Sequence, residues 1–206
     1  GNLNSTIYYS YTENDFSLLT IIDDNSINQI SKPLNFIDKH DFGLRESYNQ
    51  NISEWWQTFN SLSVFYSKSI SNNINTERTT EGLGAFIFSS STISLNENKT
   101  FSGSIDLFYS FPSTYGISKN KNTFSTDIGL RYVTLDKKLK LNLSVRDIFK
   151  TNRNVWVEKI NNIKIKRSNF QDNQVIKISV VYDFGDNKIQ TRSIKSQNND
   201  EKSRSN

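Results

Sequence analysis

The chain has 206 residues and a formal net charge of +4, and hydrophobic residues make up only 34% of it, well below the share of about half in soluble domains. Aromatic residues still reach 13%, which excludes a disordered chain, because such chains are poor in aromatic residues. The absence of cysteine excludes disulfides and thiolate metal sites. Lysine and arginine are scattered rather than clustered, so nothing indicates nucleic-acid binding. A sheet with one apolar and one wet face fits this composition.

The first half of the chain predicts extended structure throughout. The first fifty residues indicate less regular strands near 3–12, 15–23 and 33–49, with a tight turn at Glu13-Asn14. The clearer strands that follow, near 55–70, 79–94 and 99–113, exceed the ~5–6 residues that are usual in soluble sheets. Two of these strands are irregular, because Phe108 breaks a polar face and the segment 83–95 mixes apolar residues on both faces.

The second half shows the sharpest alternation of apolar and polar residues. One face of the segment 138–146 is aliphatic and carries Leu139, Leu141, Leu143 and Val145. The same period of two continues in segments 124–132 and 176–184. Since side chains on a strand point to alternate faces, each segment predicts a strand with one apolar and one polar face.

The connections between these strands alternate in length. Tight turns are expected at Asn96–Asn98 and Asp136-Lys137, whereas the segments 71–78, 113–122 and 150–171 are longer and polar. Short turns at one end of a sheet and long loops at the other are typical of outer-membrane barrels.

The fold class that follows is all-β: an antiparallel up-and-down meander of about nine long strands, forming part of a transmembrane β-barrel. No run of 18 apolar residues is present, but a tilted barrel strand needs only ~9–11 residues. We expect a partial barrel over residues 1–185 and a disordered polar tail over 186–206. Because the chain begins at Gly1 without Met or a signal peptide, we also expect a preceding segment.

Aromatic residues gather near the predicted strand ends, where a barrel meets the lipid headgroups. The candidate interfacial aromatics are Trp55, Trp56, Tyr109, Phe111 and Tyr132.

Four stretches resemble the C-terminal barrel of TonB-dependent receptors of the outer membrane β-barrel family, as found in Bacteroidota. They are Ser53-Glu54-Trp55-Trp56, GSIDLFYSFPSTYG at 103–116, LDKKLKLNLSVRDIFKTN at 135–152 and SVVYDFG at 179–185. The resemblance implies a receptor of about 22 strands with an N-terminal plug, energised by TonB, that takes up a ligand such as a siderophore, glycan or peptide.

The same resemblance implies an outer-membrane location and several partners. These are outer-membrane lipid, the TonB complex through a part that these residues lack, the barrel assembly machinery and a surface lipoprotein. It further implies that the last strand is the assembly signal read by that machinery, through Ile178, Val180, Tyr182 and Phe184. The alternative interpretation is that these residues form only the lipid face of that strand.

The residues show no catalytic constellation, so we expect neither an enzyme nor a cofactor. His40 is the one histidine, and a metal site needs several converging ligands. Arg146 and Asp147 are neighbours that point to opposite faces, so we expect Arg146 to face the lumen and Asp147 to lie at the outer rim, where a strand ends in a turn. A structural role is expected of this pair rather than contact with a ligand. Trp156 and Tyr115 are plausible ligand-binding aromatics, but each is equally compatible with packing inside its own loop.

Two rival functions stay open at this point. One is a surface barrel with a structural or adhesive role and no active transport. The other is a soluble β-sandwich or repeat module, which predicts short strands and loops that are not sorted by length.

Overall fold

The computed structural model describes residues 1–22, 29–74, 76, 79–134, 136–160, 163–170 and 172–184. The part of the chain described in these ranges contains no helix of the length and apolarity that a membrane span requires. The tail predicted at 186–206 and the end of the proposed barrel unit at 185 lie outside the described residues.

The regular elements are β-strands, and the described residues form twelve of them. They are β1 (Asn2–Ile22), β2 (Gln29–Asn51), β3 (Trp56–Ser71), β4 (Thr79–Ser94), β5 (Phe101–Ser110), β6 (Ser113–Tyr115), β7 (Ser118–Asn120), β8 (Thr123–Val133), β9 (Leu139–Val145), β10 (Asn154–Ile160), β11 (Ile163–Asn169) and β12 (Ile176–Tyr182).

Eight strands form a main sheet in the order β1-β2-β3-β4-β5-β8-β9-β12, and every neighbouring pair is antiparallel. This order confirms the predicted up-and-down meander. The predicted number of nine strands is one too many for this sheet, and the sheet is open, with β1 and β12 at its edges. The remaining four strands form a small sheet in the order β11-β10-β7-β6.

The predicted break near Glu13-Asn14 is wrong, because β1 runs through it as one strand of 21 residues. The register against β2 shifts between Thr12 and Asp15, and Asn14 adopts a left-handed conformation with φ of 52°. These are the marks of a β-bulge, which inserts a residue and bends the strand without ending it. Asparagine tolerates positive φ better than most residues, so the polar pair that resembled a turn forms a bulge instead.

The prediction of short turns at one end and longer connections at the other is confirmed. β2–β3, β4–β5 and β8–β9 are joined by residues 52–55, 95–100 and 134–138 at one end of the main sheet. The connections β3–β4, β5–β8 and β9–β12 are longer and leave the opposite end, but two of them are not the plain loops that the sequence predicted. The segment 113–122 contains β6 and β7, and the segment 150–171 contains β10 and β11.

The two faces of the main sheet differ in what covers them. The small sheet packs on one face, where Thr114 lies against Gly82 and Ser113 against Gly84. We call this the inner face and the opposite one the outer face. Gly82 and Gly84 allow that approach, since a Cβ at Gly82 would lie 2.8 Å from Thr114 Oγ1 and one at Gly84 would lie 2.7 Å from Ser113 Cβ.

A small apolar core lies where the small sheet meets β1 and β2 near the long-loop end of the main sheet. Among the residues that the structure describes, it consists of four buried ones, Leu19, Phe36, Ile37 and Ile117. Gly116, in the turn between β6 and β7, lies next to Ile37 and has a φ of 56°, a left-handed conformation that favours glycine. Because this core is small, most of the large apolar side chains of the main sheet lie elsewhere, on its outer face.

Candidate functional site

The outer face of the main sheet carries a continuous band of exposed apolar side chains. Ile7, Leu44 and Val64 stand opposite one another on three neighbouring strands. The exposed members of the band are Leu3, Ile7, Tyr9, Phe42, Leu44, Leu62, Val64, Tyr66, Leu83, Ile87, Ile105, Leu107, Ile128, Leu130, Tyr132, Leu141, Leu143, Ile176, Ile178, Val180 and Tyr182. An apolar surface of this extent is far larger than a water-soluble monomer exposes, and it requires an apolar surrounding.

The band drifts along the strands from one side of the sheet to the other. Val64 of β3 faces Ala85 on β4, whereas Ile105, in the middle of β5, faces Ser91 on β4. The centre of the band is therefore shifted by six residues along β4 between these two neighbours. Strands of an outer-membrane barrel are tilted by ~35–45° to the membrane normal, so a level membrane crosses each successive strand at a shifted position. The drift therefore matches a lipid layer that crosses tilted strands.

The five aromatic residues predicted at the interface fall at both ends of this band. Trp55 and Trp56 lie at the short-turn end with ring centroids 6.1 Å apart, and Tyr132 lies near the same end of β8. Tyr109 and Phe111 lie at the opposite end, where their rings meet edge to face at 4.7 Å. Their contact with lipid headgroups stays a prediction, and their positions agree with it.

The predicted assembly signal is the edge strand β12 and the residues after it. Ile178 and Val180 stand opposite Leu143 and Leu141 of β9, and the rings of Tyr182 and Phe184 meet edge to face at 4.7 Å. Phe184 is 90% exposed, so it contributes little to the packing of the chain. Its role in assembly stays a prediction.

The inner face is more aromatic than the alternation predicted. Its polar members include the buried Ser63 and Ser67, but five phenylalanines also point inward: Phe59, Phe65, Phe86, Phe88 and Phe108. We call these five the inner aromatic cluster. It explains the irregular segment 83–95, because Phe86 and Phe88 face inward while Ile87 and Ile93 face outward.

A cavity of about 530 Å³ lies between the small sheet and the long-loop ends of β5 and β8. Its lining combines three aromatic rings, three amides, four hydroxyls, one cation and one aliphatic side chain. The lining residues are Phe108, Ser110, Ser113, Tyr115, Ser118, Asn120, Lys121, Thr123, Asn152, Asn154, Val155 and Trp156. The cavity thus brings together Tyr115 and Trp156, which the sequence singled out separately.

The register of the small sheet explains how these side chains converge. Asn120 of β7 stands opposite Ser113 of β6 on one side and Trp156 of β10 on the other. Ser118 likewise stands between Tyr115 and Glu158. Directly opposed residues share a face, and residues two apart on a strand do as well, so one face of the small sheet presents them all.

A buried carboxylate fixes the aromatic part of that face. Glu158 is 7% exposed, and its Oε1 accepts hydrogen bonds from the Trp156 indole N–H at 3.1 Å and the Ser118 hydroxyl at 3.0 Å. Its Oε2 lies 3.7 Å from Nε of Arg167, which in turn donates to Thr20 Oγ1. The charge of Glu158 is thereby paired, and the Trp156 ring is held in one orientation.

Asp147 shapes the loop that leads to the cavity. Its carboxylate accepts the backbone N–H groups of Thr151 at 3.0 Å and Asn152 at 3.1 Å, while its own N–H donates to Asp127 Oδ1 at 2.9 Å. The residue adopts a left-handed φ of 44° and is 2% exposed. The structure places Asp147 where the sequence predicts it, at the end of a strand in a turn, and it also buries the carboxylate against the backbone N–H groups of that turn.

Two other side chains that the sequence discussed have partners elsewhere. His40 lies on the outer face of β2, where its Nδ1 is 2.9 Å from the Tyr9 hydroxyl and its ring stacks on Tyr11 at 4.7 Å. Arg146 lies just after β9 and is exposed, and its orientation into the lumen stays a prediction.

A family model described as "Outer membrane protein beta-barrel family" matches residues 1–182. No curated protein and no solved structure shows significant similarity to the chain. The family match spans every strand of the main sheet and agrees with its outer apolar band, its meander order and its sorted connections. The chain therefore belongs to the outer membrane protein β-barrel family, and its place is the outer membrane.

Proposed function

We propose that this chain forms part of the barrel of a TonB-dependent receptor of the Bacteroidota type, which takes up a ligand across the outer membrane. The observation that carries the proposal is the inner aromatic cluster. It favours a barrel that encloses a folded plug over one that encloses water.

The cluster is a connected patch of rings on the inner face. Phe86 lies 6.5 Å from both Phe65 and Phe108, and Phe59 lies 6.2 Å from Phe88, measured between ring centroids. Phe88 and Phe108 stand directly opposite each other on β4 and β5. Phe59 is 40% exposed among the described residues, so part of the patch has no cover in this sheet.

A water-filled barrel has a polar interior, since its inward-facing positions contact water. Burying apolar surface is favourable by ~25 cal/mol per Å², so a patch of phenylalanine rings favours a protein surface packed against it. A plug inside the barrel would supply that surface. The chain's resemblance to TonB-dependent receptors supports the same interpretation.

The proposal also accounts for the open edges of the main sheet. Unpaired N–H and C=O groups on β1 and β12 are costly in hydrocarbon, so the sheet needs further strands to close. A receptor barrel of about 22 strands, as the resemblance implies, would supply them.

The test uses the complete protein in outer membranes, with a photo-cross-linking phenylalanine analogue placed at Phe88. We expect an intramolecular cross-link from Phe88 to a segment outside both the main sheet and the small sheet, identified by mass spectrometry. The same analogue at Leu107, on the outer face of β5, is the matched control and should give no such product. A Phe88 analogue that behaves like the Leu107 analogue would contradict the plug.

Energy coupling needs a second measurement, because a plug alone does not establish transport. We expect the complete protein in detergent to bind the purified periplasmic domain of TonB. The alternative, a surface barrel with a structural or adhesive role, predicts no binding in this assay.

A further inference from the structure

We propose that the cavity between the small sheet and the main sheet binds a neutral, hydroxyl-rich ligand, a short oligosaccharide, with Trp156 and Tyr115 as its stacking residues. This inference deepens the proposed receptor function and rests on it, since it names the class of ligand that the receptor would take.

The lining of the cavity has the chemistry that a sugar requires. Ring faces of Tyr115 and Trp156 offer flat apolar surface for the C–H face of a pyranose. Side-chain amides of Asn120, Asn152 and Asn154 each offer a donor and an acceptor, which suits the vicinal hydroxyls of a sugar. Small-molecule sites share this combination of an aromatic surface with a few polar groups, within ~300–1,000 Å³.

The charge of the lining separates sugars from the other ligand classes of such receptors. Among the described residues that line the cavity, Lys121 is the single charged group and none carries a carboxylate. An anionic metal chelate favours a site with several cations, and a peptide with charged ends favours charges of both signs. A neutral ligand needs neither, so this cavity favours a neutral ligand.

Both stacking residues are held in place before any ligand arrives. The polar edge of Trp156 is bonded to Glu158, as described above, so its orientation does not depend on a ligand. The ammonium group of Lys39 lies 4.1 Å from the centroid of the Tyr115 ring, and this cation–π contact from the inner face of β2 favours the observed orientation of the ring. Preorganised rings reduce the entropy that a ligand would otherwise lose by ordering them.

The cavity is also placed for a ligand that arrives from outside the cell. It lies at the long-loop end of the main sheet, and in outer-membrane barrels the longer loops are extracellular. Its floor includes Phe108, a member of the inner aromatic cluster. A ligand in this cavity would therefore sit above the position that we propose for the plug.

The experiment measures binding of defined sugars to the complete protein in detergent by saturation-transfer NMR. The probes are the neutral disaccharides maltose, cellobiose, laminaribiose and gentiobiose, with digalacturonic acid as an anionic probe and trialanine as a peptide probe. We expect saturation transfer to at least one neutral disaccharide and weaker transfer to the other two probes. Stronger transfer to digalacturonic acid or trialanine, or none to any neutral disaccharide, would overturn the inference.

The variants W156A and Y115A assign the binding to this cavity. Each should weaken disaccharide binding about tenfold or more, as loss of a central aromatic contact does. The matched control is F149A, because Phe149 is an exposed aromatic residue in the same connection that does not line the cavity. Disaccharide binding that F149A weakens as much as W156A and Y115A do would contradict the proposed site.

N154A guards against misfolding, since it removes an amide from the lining without touching the Glu158 hydrogen bonds. It should weaken binding while the complete protein keeps its mobility on unboiled gels, and unchanged affinity would count against the site. The outcome is separable from that of the proposed function. A protein that binds TonB and carries a plug but binds no neutral sugar would refute this inference alone.

Discussion

The first half of the main sheet, β1 to β4, and the second half, β5, β8, β9 and β12, both carry the outer apolar band, but their strands differ greatly in length. Strands β1 to β4 have 21, 23, 16 and 16 residues, whereas β5, β8, β9 and β12 have 10, 11, 7 and 7. Both halves carry the outer apolar band, and crossing a bilayer takes only ~9–11 residues of tilted strand. Strands β1 to β4 therefore extend well past the bilayer, β5 and β8 match that length, and β9 and β12 with 7 residues each fall short of it.

The two halves also differ in where the chain runs beyond the outer apolar band. In the first half the strands continue past the band, so that β1 and β2 still pair at Leu18 and Pro33. In the second half the chain leaves the main sheet after β5 and again after β9, and the two excursions pair through β7 and β10. The first half thus lengthens the main sheet, whereas the second half folds onto the inner face and encloses the cavity.

The largest expected effect comes from breaking the contact between the halves. Ile37 is 1% exposed in the core with Ile117, so Ile37→Ala should cost about 2–5 kcal/mol through lost burial and a residual cavity. We expect faster hydrogen exchange in β6 and β7 of the complete protein. Ile30→Ala, at a half-exposed position of the same strand, is the control, and equal exchange in both variants would contradict the role of this core.

A charge placed in the outer band should destabilise both halves alike. Leu44→Arg on β2 and Leu143→Arg on β9 replace side chains of nearly equal exposure, 39% and 38%, and each should cost about 2–4 kcal/mol near the middle of the bilayer. The measurement is the free energy of unfolding in lipid vesicles. Ser144→Arg puts the same charge next to Leu143 on the opposite face, and a loss as large as that of Leu143→Arg would argue against a lipid-facing band.

A smaller effect is expected where β9 gives way to the inward-folding chain. Asp147→Asn replaces an acceptor of two backbone N–H groups by an amide that can serve them less well, at a cost of about 1–3 kcal/mol. Loosening of the turn should raise proteolytic cleavage near Asn152. Asp172→Asn, at an exposed carboxylate further along the same connection, should leave cleavage unchanged.

Phe184→Ala concerns assembly rather than stability. Because the ring is 90% exposed, its removal should leave the unfolding free energy nearly unchanged but lower the amount of protein that the assembly machinery inserts. The measurement is the fraction of folded, surface-accessible protein in cells. Phe149→Ala is again the control, and insertion of Phe184→Ala at the control level would leave β12 as a lipid-facing strand only.

The smallest effect is expected at the short turn between β8 and β9, outside the membrane. A hydrogen bond from the Thr134 hydroxyl, and a second from the Lys138 backbone N–H, hold the pKa of Asp136 below its ordinary value. A lowered folded-state pKa means that this contribution is present above the unfolded-state pKa and is lost as the pH falls through the folded-state pKa. NMR titration of Asp136 should therefore give a midpoint below that of a model peptide, and Thr134→Val should move it upward.

The outer band could be predicted from the sequence because it depends on a period of two within each strand. Leu139, Leu141 and Leu143 alternate with polar residues whatever their neighbours are, so local pattern decides which face they take. Inner-face residues follow no such pattern, since Phe86 and Phe88 interrupt a polar face that also carries Ser63 and Ser67.

The small sheet could not be predicted, because it depends on pairing across a large sequence separation. Asn120 and Trp156 are partners on β7 and β10, with two strands of the main sheet between them in the chain. Their segments are polar and short, so each alone is indistinguishable from a loop. The sequence therefore identifies Tyr115 and Trp156 as candidate binding residues but does not place them in one cavity.

The bond from Arg167 to Thr20 has a mechanical consequence. It ties the last strand of the small sheet to the first strand of the main sheet, while β6 at the other end of the small sheet rests on β4 through Gly82 and Thr114. The small sheet thus bridges β1 and β4 across the inner face of the main sheet. Because Arg167 also reaches Trp156 through Glu158, a displacement of β1 relative to β4 would strain the contacts that orient the Trp156 ring.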